Sequence, residues 1–322
     1  MSKVQFTLAC GDYDRTRPLW DGKISPEGLD LNVLLLPVEE IFLRMSRHQE
    51  FDASELSFST FLITRSQGHP RFVAIPAFPS RKFRHADIYI HRDSGIKKPQ
   101  DLKGGRIGLP EYQITAAVWV RGILQEFYGV APSDVQWITG HEERLKIELP
   151  PSIRVQTLPA GETLFGLLRK KELDAVLTAR VPPPFLKGEN WIARLFPNFK
   201  EMEIDYFQKT RIFPIMHTVV LREEVYERYP WAARSLFKAF CQAKDLSFDY
   251  LLNLGAPPVT LPWFFQEMDQ TLAIMGRDFW PYGLKANRPI IVKLLQYMQA
   301  QGLVPESFNP PVEELFAPNT RD

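Results

Sequence analysis

Two long extended stretches, 84–92 and 211–221, frame a middle segment in which the alternation of strands and helices starts afresh. A chain that leaves one β/α series along an extended segment, completes a second series and returns along another extended segment is committed to two α/β lobes. Before the first stretch, residues 4–9, 29–36, 51–56 and 72–77 read as strands, with helices at 37–48 and 57–66. Pro37 opens the first helix, Ile41, Phe42 and Met45 form its apolar side, and Glu39 and Glu40 sit in the first turn, where carboxylates favour the helix dipole. The turn-rich segment 99–110 then leads into a strand at 106–109 and a helix at 114–128. Strands at 135–138, 153–157 and 175–178 follow, with a helix at 162–171, and from Glu223 onward amphipathic helices dominate. The expected layout is one discontinuous lobe of 1–88 and 217–322 and a second lobe of 89–216, joined by two hinge strands with a ligand cleft between them.

Length agrees with two cores, since 322 residues exceed what one hydrophobic core usually organises. Thirty-nine basic and thirty-eight acidic side chains leave a net charge of +1. That balance removes the electrostatic warrant for a nucleic-acid or anionic-membrane partner and points to a small molecule. No apolar run approaches the ~20 residues of a membrane span. The start enters a strand without an export signal, and Cys10 and Cys241 are too few for a disulfide framework, so a cytoplasmic protein is expected. Cys10, beside Gly11, reads as a small buried side chain in preference to a pocket-lining or nucleophilic one. The aromatics Trp263, Phe264, Phe265, Phe279, Trp280 and Tyr282 read as core or as contacts in a homo-oligomer, with an aromatic stack over a ligand as the alternative.

Against this neutral background Arg81, Lys82, Arg84 and His85 form a cationic knot at the mouth of an alternating strand. Guanidinium groups bind carboxylates through two parallel hydrogen bonds, so the knot suggests a ligand with more than one carboxylate. Ligands of open α/β sheets lie beyond strand C-termini. Arg15, Arg81, Arg84 and Arg180 each follow a predicted strand, and two of the four suffice for a clamp. Asp14 and Thr16 share the turn of Arg15 and serve either the ligand or a helix cap. Glu55 with Ser57, and Glu111 with Tyr112, occupy equivalent places after other strands. Arg121, in mid-helix, reads as a structural ion-pair partner. No HxH, HExxH or paired-cysteine spacing, phosphate loop or dinucleotide fingerprint is present, so neither a metal nor an organic cofactor is expected.

The segments 8–19, 39–45, 51–56, 78–85 and 108–121 resemble the 4,5-dihydroxyphthalate decarboxylases of bacterial phthalate degradation, and the likeness covers nearly the whole chain. The resemblance implies a type II periplasmic-binding-protein-like fold and conversion of 4,5-dihydroxyphthalate to protocatechuate and CO2 without an organic cofactor. Phthalate itself, or a non-catalytic role in binding an aromatic carboxylate, is the alternative. Each carboxylate of this substrate lies para to a hydroxyl, so the ring can serve as its own electron store while the ipso carbon takes a proton. His85 is then the first expected proton donor and His217 the second. Glu111 and Tyr112 are expected to take the phenol proton or bind a hydroxyl.

Overall fold

A computed structural model describes residues 3–68 and 71–321. Its strands, among these residues, are β1 (Val4–Cys10), β2 (Leu29–Leu35), β3 (Ala53–Ser57), β4 (Phe72–Arg81), β5 (Ile88–His91), β6 (Arg106–Leu109), β7 (Gln136–Thr139), β8 (Arg154–Thr157), β9 (Ala175–Leu177), β10 (Ile192–Arg194) and β11 (Ile215–Arg222). They form two sheets, one in each of two compact units.

The first unit comprises Met1–Arg81, Ile215–Ile291 and Pro310–Asp322. Its sheet has the order β2-β1-β3-β11-β4, with β1 parallel to β2 and β3. β11 is inserted antiparallel between β3 and β4. Every residue of β3 is buried, as a strand covered on both faces requires. On one face Phe6, Leu8, Ile75, Val219 and Leu221 pack against Leu236 and Phe240 of the helix Pro230–Leu252. The helix Val38–His48 buries Ile41, Phe42 and Met45, the side that its spacing predicts. β4 lies at the sheet edge, where Pro76 and Pro79 remove donors that no neighbouring strand needs. The C-terminal aromatics do not behave as one core. Trp263 is 67% exposed and the helix Phe264–Met275 has no buried residue, whereas Phe279 stacks on Phe248 at 4.8 Å between ring centres.

The second unit comprises Lys82–Pro214 and Val292–Asn309. Its sheet has the order β10-β5-β9-β6-β7-β8, in which β6 is parallel to β7 and β9, and β7 to β8. β5 runs antiparallel to both β9 and β10. The extended run expected over 84–92 is interrupted by a single 3-10 turn, His85–Asp87. Asp87 is the cause: Lys82 Nζ reaches one of its oxygens at 2.7 Å and Arg84 the other at 2.6 Å, which folds the chain back on itself. The same turn buries the His85 ring edge-on against Tyr128, Phe196 and Tyr206, with Nδ1 making no hydrogen bond among the described residues. Burial lowers the His85 pKa from 6.5 to about 4, and the distant carboxylate of Asp205 only partly opposes this.

The boundaries also differ from expectation, because residues 292–309 pack with the second unit. The helix Arg288–Ala300 begins in one unit and ends in the other. Tyr297 meets Trp119 edge-on at 5.6 Å and its hydroxyl donates to Glu126. Gln301 accepts from Arg121 Nε at 2.8 Å and donates to the Val118 carbonyl at 2.9 Å. The Tyr297 ring occupies the space a side chain on Gly122 would fill: a Cβ there would lie 2.1 Å from a ring carbon. No signal of pattern or charge in 292–309 distinguishes this from packing within the first unit; the missing Cβ at Gly122 does.

Gly122→Ala is therefore expected to destabilise the protein by about 1–3 kcal/mol, seen as a lower denaturation midpoint at unchanged helix content. His85 gives a second prediction. Its ring stays neutral in the folded chain but takes a proton in the unfolded one, so stability falls as pH drops from 6.5 towards about 4. Glu203, whose carboxyl burial pushes up to about 7, acts in the opposite sense and is common to both proteins. His85→Phe should flatten the acid limb of denaturation midpoint against pH; curves parallel to those of the parent would reject the assignment.

Candidate functional site

The site of the first unit is built around a carboxylate in mid-sheet. Glu55 is 0% exposed on β3, where burying a charge costs several kcal/mol unless donors surround it. The register of β11 supplies the principal one. Cross-strand pairing sets Val219 opposite Glu55 and His217 opposite Ser57, so His217 and Glu55 are diagonal neighbours on one face. His217 Nδ1 lies 2.5 Å from Glu55 Oε1. The Gly11 amide donates to Oε2 at 2.9 Å and the Tyr13 hydroxyl to Oε1 at 3.0 Å. Burial alone would raise the Glu55 pKa, but His217, the Gly11 amide and the Tyr13 hydroxyl together hold it below the usual value. Glu55 is thus a fixed anion, and it holds His217 by one ring nitrogen. The other, Nε2, belongs to a side chain that keeps 15% of its surface accessible, with Phe42 edge-on at 4.8 Å.

Gly11 makes a second contribution through what it lacks. A Cβ on this residue would lie 2.7 Å from the Tyr13 ring, so only glycine lets Tyr13 fold back to reach Glu55. Burial and the adjacent Glu55 push the Tyr13 phenol up, which keeps it a hydrogen donor. Its ring also forms one wall around Arg15. The Arg15 guanidinium carbon lies 4.2 Å from the centre of Tyr13 and 4.2 Å from that of Trp280, a cation held between two π faces. Its Nε donates to the Pro79 carbonyl at 2.6 Å and one terminal nitrogen to Asp14 at 3.1 Å, while the second terminal nitrogen makes no hydrogen bond among the described residues.

Arg81 is deeper, donating to the Pro281 carbonyl at 2.7 Å and to Asn287. Burial lowers its pKa to about 9, so it remains cationic at neutral pH. Thr16 spends its hydroxyl on the turn, donating to the Gly11 carbonyl at 2.9 Å and accepting from the Tyr13 amide at 3.1 Å. Ser57 is buried 3.2 Å from the Ser59 hydroxyl. Cys10 is buried, and burial with the nearby Glu55 pushes its thiol up, away from a nucleophilic role. Arg15, Asp14, Thr16, Glu55, Ser57, Arg81 and His217 therefore belong to one neighbourhood. Tyr13 joins it without having been singled out, and Trp280 and Tyr282 join it from the aromatics that read first as core or subunit contacts. An aromatic flanking an arginine in a Gly-Asp-Tyr-Asp-Arg turn was the available signal for Tyr13; Trp280 and Tyr282 come from a distant segment whose pairing with β4 leaves no local mark.

The remaining candidates lie in the second unit and are engaged there. Arg84 is committed to Asp87, and His85 sits in its aromatic cage, neutral rather than beside a clamp. Glu111 pairs with Arg144 at 2.8 Å. Tyr112 is fully buried beneath Arg121, whose guanidinium lies 3.7 Å from its ring centre and donates to its carbonyl at 2.7 Å. Arg121 is thus structural, although its partners are Tyr112 and Gln301 rather than a carboxylate. Arg180 is exposed just after β9. Among the described residues no three His, Cys, Asp or Glu side chains converge as metal ligands would.

No protein-family model matches the chain. Among curated proteins it is 39% identical over 324 aligned positions to a 4,5-dihydroxyphthalate decarboxylase of Comamonas testosteroni, covering 99% of this chain and 98% of that protein. A second 4,5-dihydroxyphthalate decarboxylase, from Pseudomonas putida, is 42% identical over 214 positions, 65% of this chain and 83% of that protein. Among solved structures, the alkanesulfonate-binding protein of Xanthomonas axonopodis pv. citri superposes with a TM-score of 0.51 at 12% identity over 95% of this chain and 96% of the other. A sulfonate-binding protein of Methylobacillus flagellatus gives 0.51 at 12% over 94% and 89%. These neighbours share the periplasmic-binding-protein fold with the present chain. The near-complete likeness to the Comamonas protein goes further, and on it the chain belongs to the 4,5-dihydroxyphthalate decarboxylase family.

Proposed function

We propose that the protein decarboxylates 4,5-dihydroxyphthalate to protocatechuate and CO2, with His217 as the proton donor and Arg15 as the ligand for a carboxylate. The observation that carries this reading is the 39% identity across nearly the whole chain to a decarboxylase of that name. The first unit supplies groups suited to the chemistry. The hydroxyl para to the departing carboxylate gives up its proton to solvent, and the oxygen electron pair moves through the ring to the ipso carbon. Nε2–H of His217 delivers a proton there, with Glu55 holding the ring by Nδ1. The C–CO2 bond then breaks, its electron pair restores the aromatic ring and CO2 departs. Phenol and imidazole each recover one proton from solvent. One carboxylate is lost as CO2, one proton is gained at carbon, and no electron leaves the system.

Positioning is the second requirement. Arg15 is fixed by two aromatic faces, a carbonyl and Asp14, so little of its mobility remains to be lost when a carboxylate binds. His217 is preferred to His85 because its ring is oriented by a carboxylate, whereas the His85 ring sits in an aromatic cage.

Incubation with 4,5-dihydroxyphthalate and with phthalate, with and without chelator, tests the reading through appearance of protocatechuate, or of benzoate from phthalate. Tight binding of either diacid without turnover would make the protein a binder instead. His217→Gln should lower kcat by about 10²–10⁴ while KM stays within about tenfold, and His85→Phe should keep near-parental turnover. The reverse pattern would move the acid to His85. Arg15→Lys, which keeps the charge but loses the planar fork and its stacking, should raise KM by about tenfold or more; an unchanged KM would remove Arg15 from carboxylate binding.

A further inference from the structure

The segment 280–283 is tied down at every residue but one. Trp280 Nε1 donates to the Phe78 carbonyl at 2.9 Å and stacks on Arg15. The Pro281 carbonyl accepts from Arg81 at 2.7 Å and from Asn287 at 3.0 Å. The Gly283 amide donates to the Pro76 carbonyl at 2.9 Å, and its carbonyl accepts from Asn287 at 2.7 Å. Between these anchors Tyr282 turns its ring into the core cluster beside Lys244, which lies 5.8 Å from the ring centre. Its hydroxyl is buried and makes no hydrogen bond among the described residues. A rigid segment that satisfies its polar groups on both sides and leaves a buried hydroxyl open is unusual, because an open hydroxyl forfeits its hydration without return.

The surroundings say what fits. Burial, with Cys241 and the Glu55 carboxylate, pushes the phenol up, so it stays an O–H donor, while the positive charges of Arg15 and Arg81 act the other way. The two residues preceding Tyr282 touch the same cations, Trp280 stacking on Arg15 and the Pro281 carbonyl accepting from Arg81, so the open hydroxyl belongs to a neighbourhood that an oxygen anion would match. We propose that Tyr282 is a substrate-binding residue that donates its hydroxyl hydrogen bond to the carboxylate engaged by Arg15. The inference rests on the aromatic dicarboxylate reading above and adds to it the residue that orients the retained or departing carboxylate. Phenylalanine keeps the ring, its packing and the neighbouring anchors, and removes only the hydroxyl.

Tyr282→Phe and the parent are to be compared by thermal denaturation without ligand, by calorimetric binding of phthalate, and by turnover of 4,5-dihydroxyphthalate. The expected result is an unchanged or raised midpoint without ligand, since no internal hydrogen bond is lost, and phthalate affinity weaker by about tenfold or more. KM should rise in step, with kcat less affected. Unchanged affinity and KM in a variant of a parent that turns over would overturn the inference and leave the decarboxylase reading intact. A lowered midpoint without ligand would show a structural hydroxyl and overturn it equally. A parent that neither binds phthalate nor consumes 4,5-dihydroxyphthalate would remove the proposed function and this inference together.

Discussion

The buried anion Glu55 is the constraint on which the first unit depends. A carboxylate without water needs its donors in place whenever the chain is folded, and here they come from separate stretches: an amide after β1, a phenol in the following turn and an imidazole on β11. Removing one partner of such a pair costs about 3–5 kcal/mol because the other charge is left unmatched. β11 reaches Glu55 only after the chain has built most of the second unit, so the insertion of that unit and the formation of the site are the same topological event. Local sequence makes β3 a good strand; long-range pairing makes it tolerate a glutamate.

The edge of the same sheet shows how a second constraint is turned to use. Alternate carbonyls of β4 point away from β11 and would lie open on an edge strand. Ala74, Pro76 and Phe78 give theirs to the Ala317 amide, the Gly283 amide and the Trp280 indole. Pro79 gives its own to Arg15. Prolines at 76 and 79 remove the matching amides, which discourages pairing with another strand and reserves the edge for these irregular partners. The segment that closes the edge is therefore also the one that delivers Trp280 to Arg15. Edge protection and construction of the arginine site are one set of hydrogen bonds.

What the sequence made legible follows from the range of each signal. Periods of two and 3.6 residues act over a single element, and the strands at 4–10, 29–35 and 106–109 and the helix Val38–His48 lie where those periods place them. Arg15, Glu55 and His217 were accessible as well, since each is a polar residue where an apolar strand starts or ends. The surroundings of His85 differ from those its sequence neighbours suggest, for a physical reason. Its immediate neighbours in sequence are cationic, but the ring faces Tyr128, Phe196 and Tyr206, which come from segments over forty to more than a hundred residues away and carry no local trace. Tyr282 is similar: within an aromatic-rich C-terminal region its ring reads as core, which it is, while nothing local marks its hydroxyl as buried without a hydrogen bond among the described residues.

Fold alone does not separate a carrier of anions from an enzyme, and the superposition on sulfonate-binding proteins at 12% identity speaks only to the fold. Charge placement is more discriminating. A protein selected to hold a dianion gains from Arg15 and Arg81 but loses from a permanent negative charge in the same neighbourhood. Glu55 is such a charge, kept ionised at the expense of its burial by three donors. Its placement becomes intelligible if the histidine it grips must carry a proton towards a carbon that is gaining electron density. Glu55 then lies behind the ring, on its Nδ1 side, and leaves Nε2 to face the reacting carbon. Binding alone gives no reason for that arrangement, whereas protonation at carbon requires an acid held in place with its counter-charge already supplied.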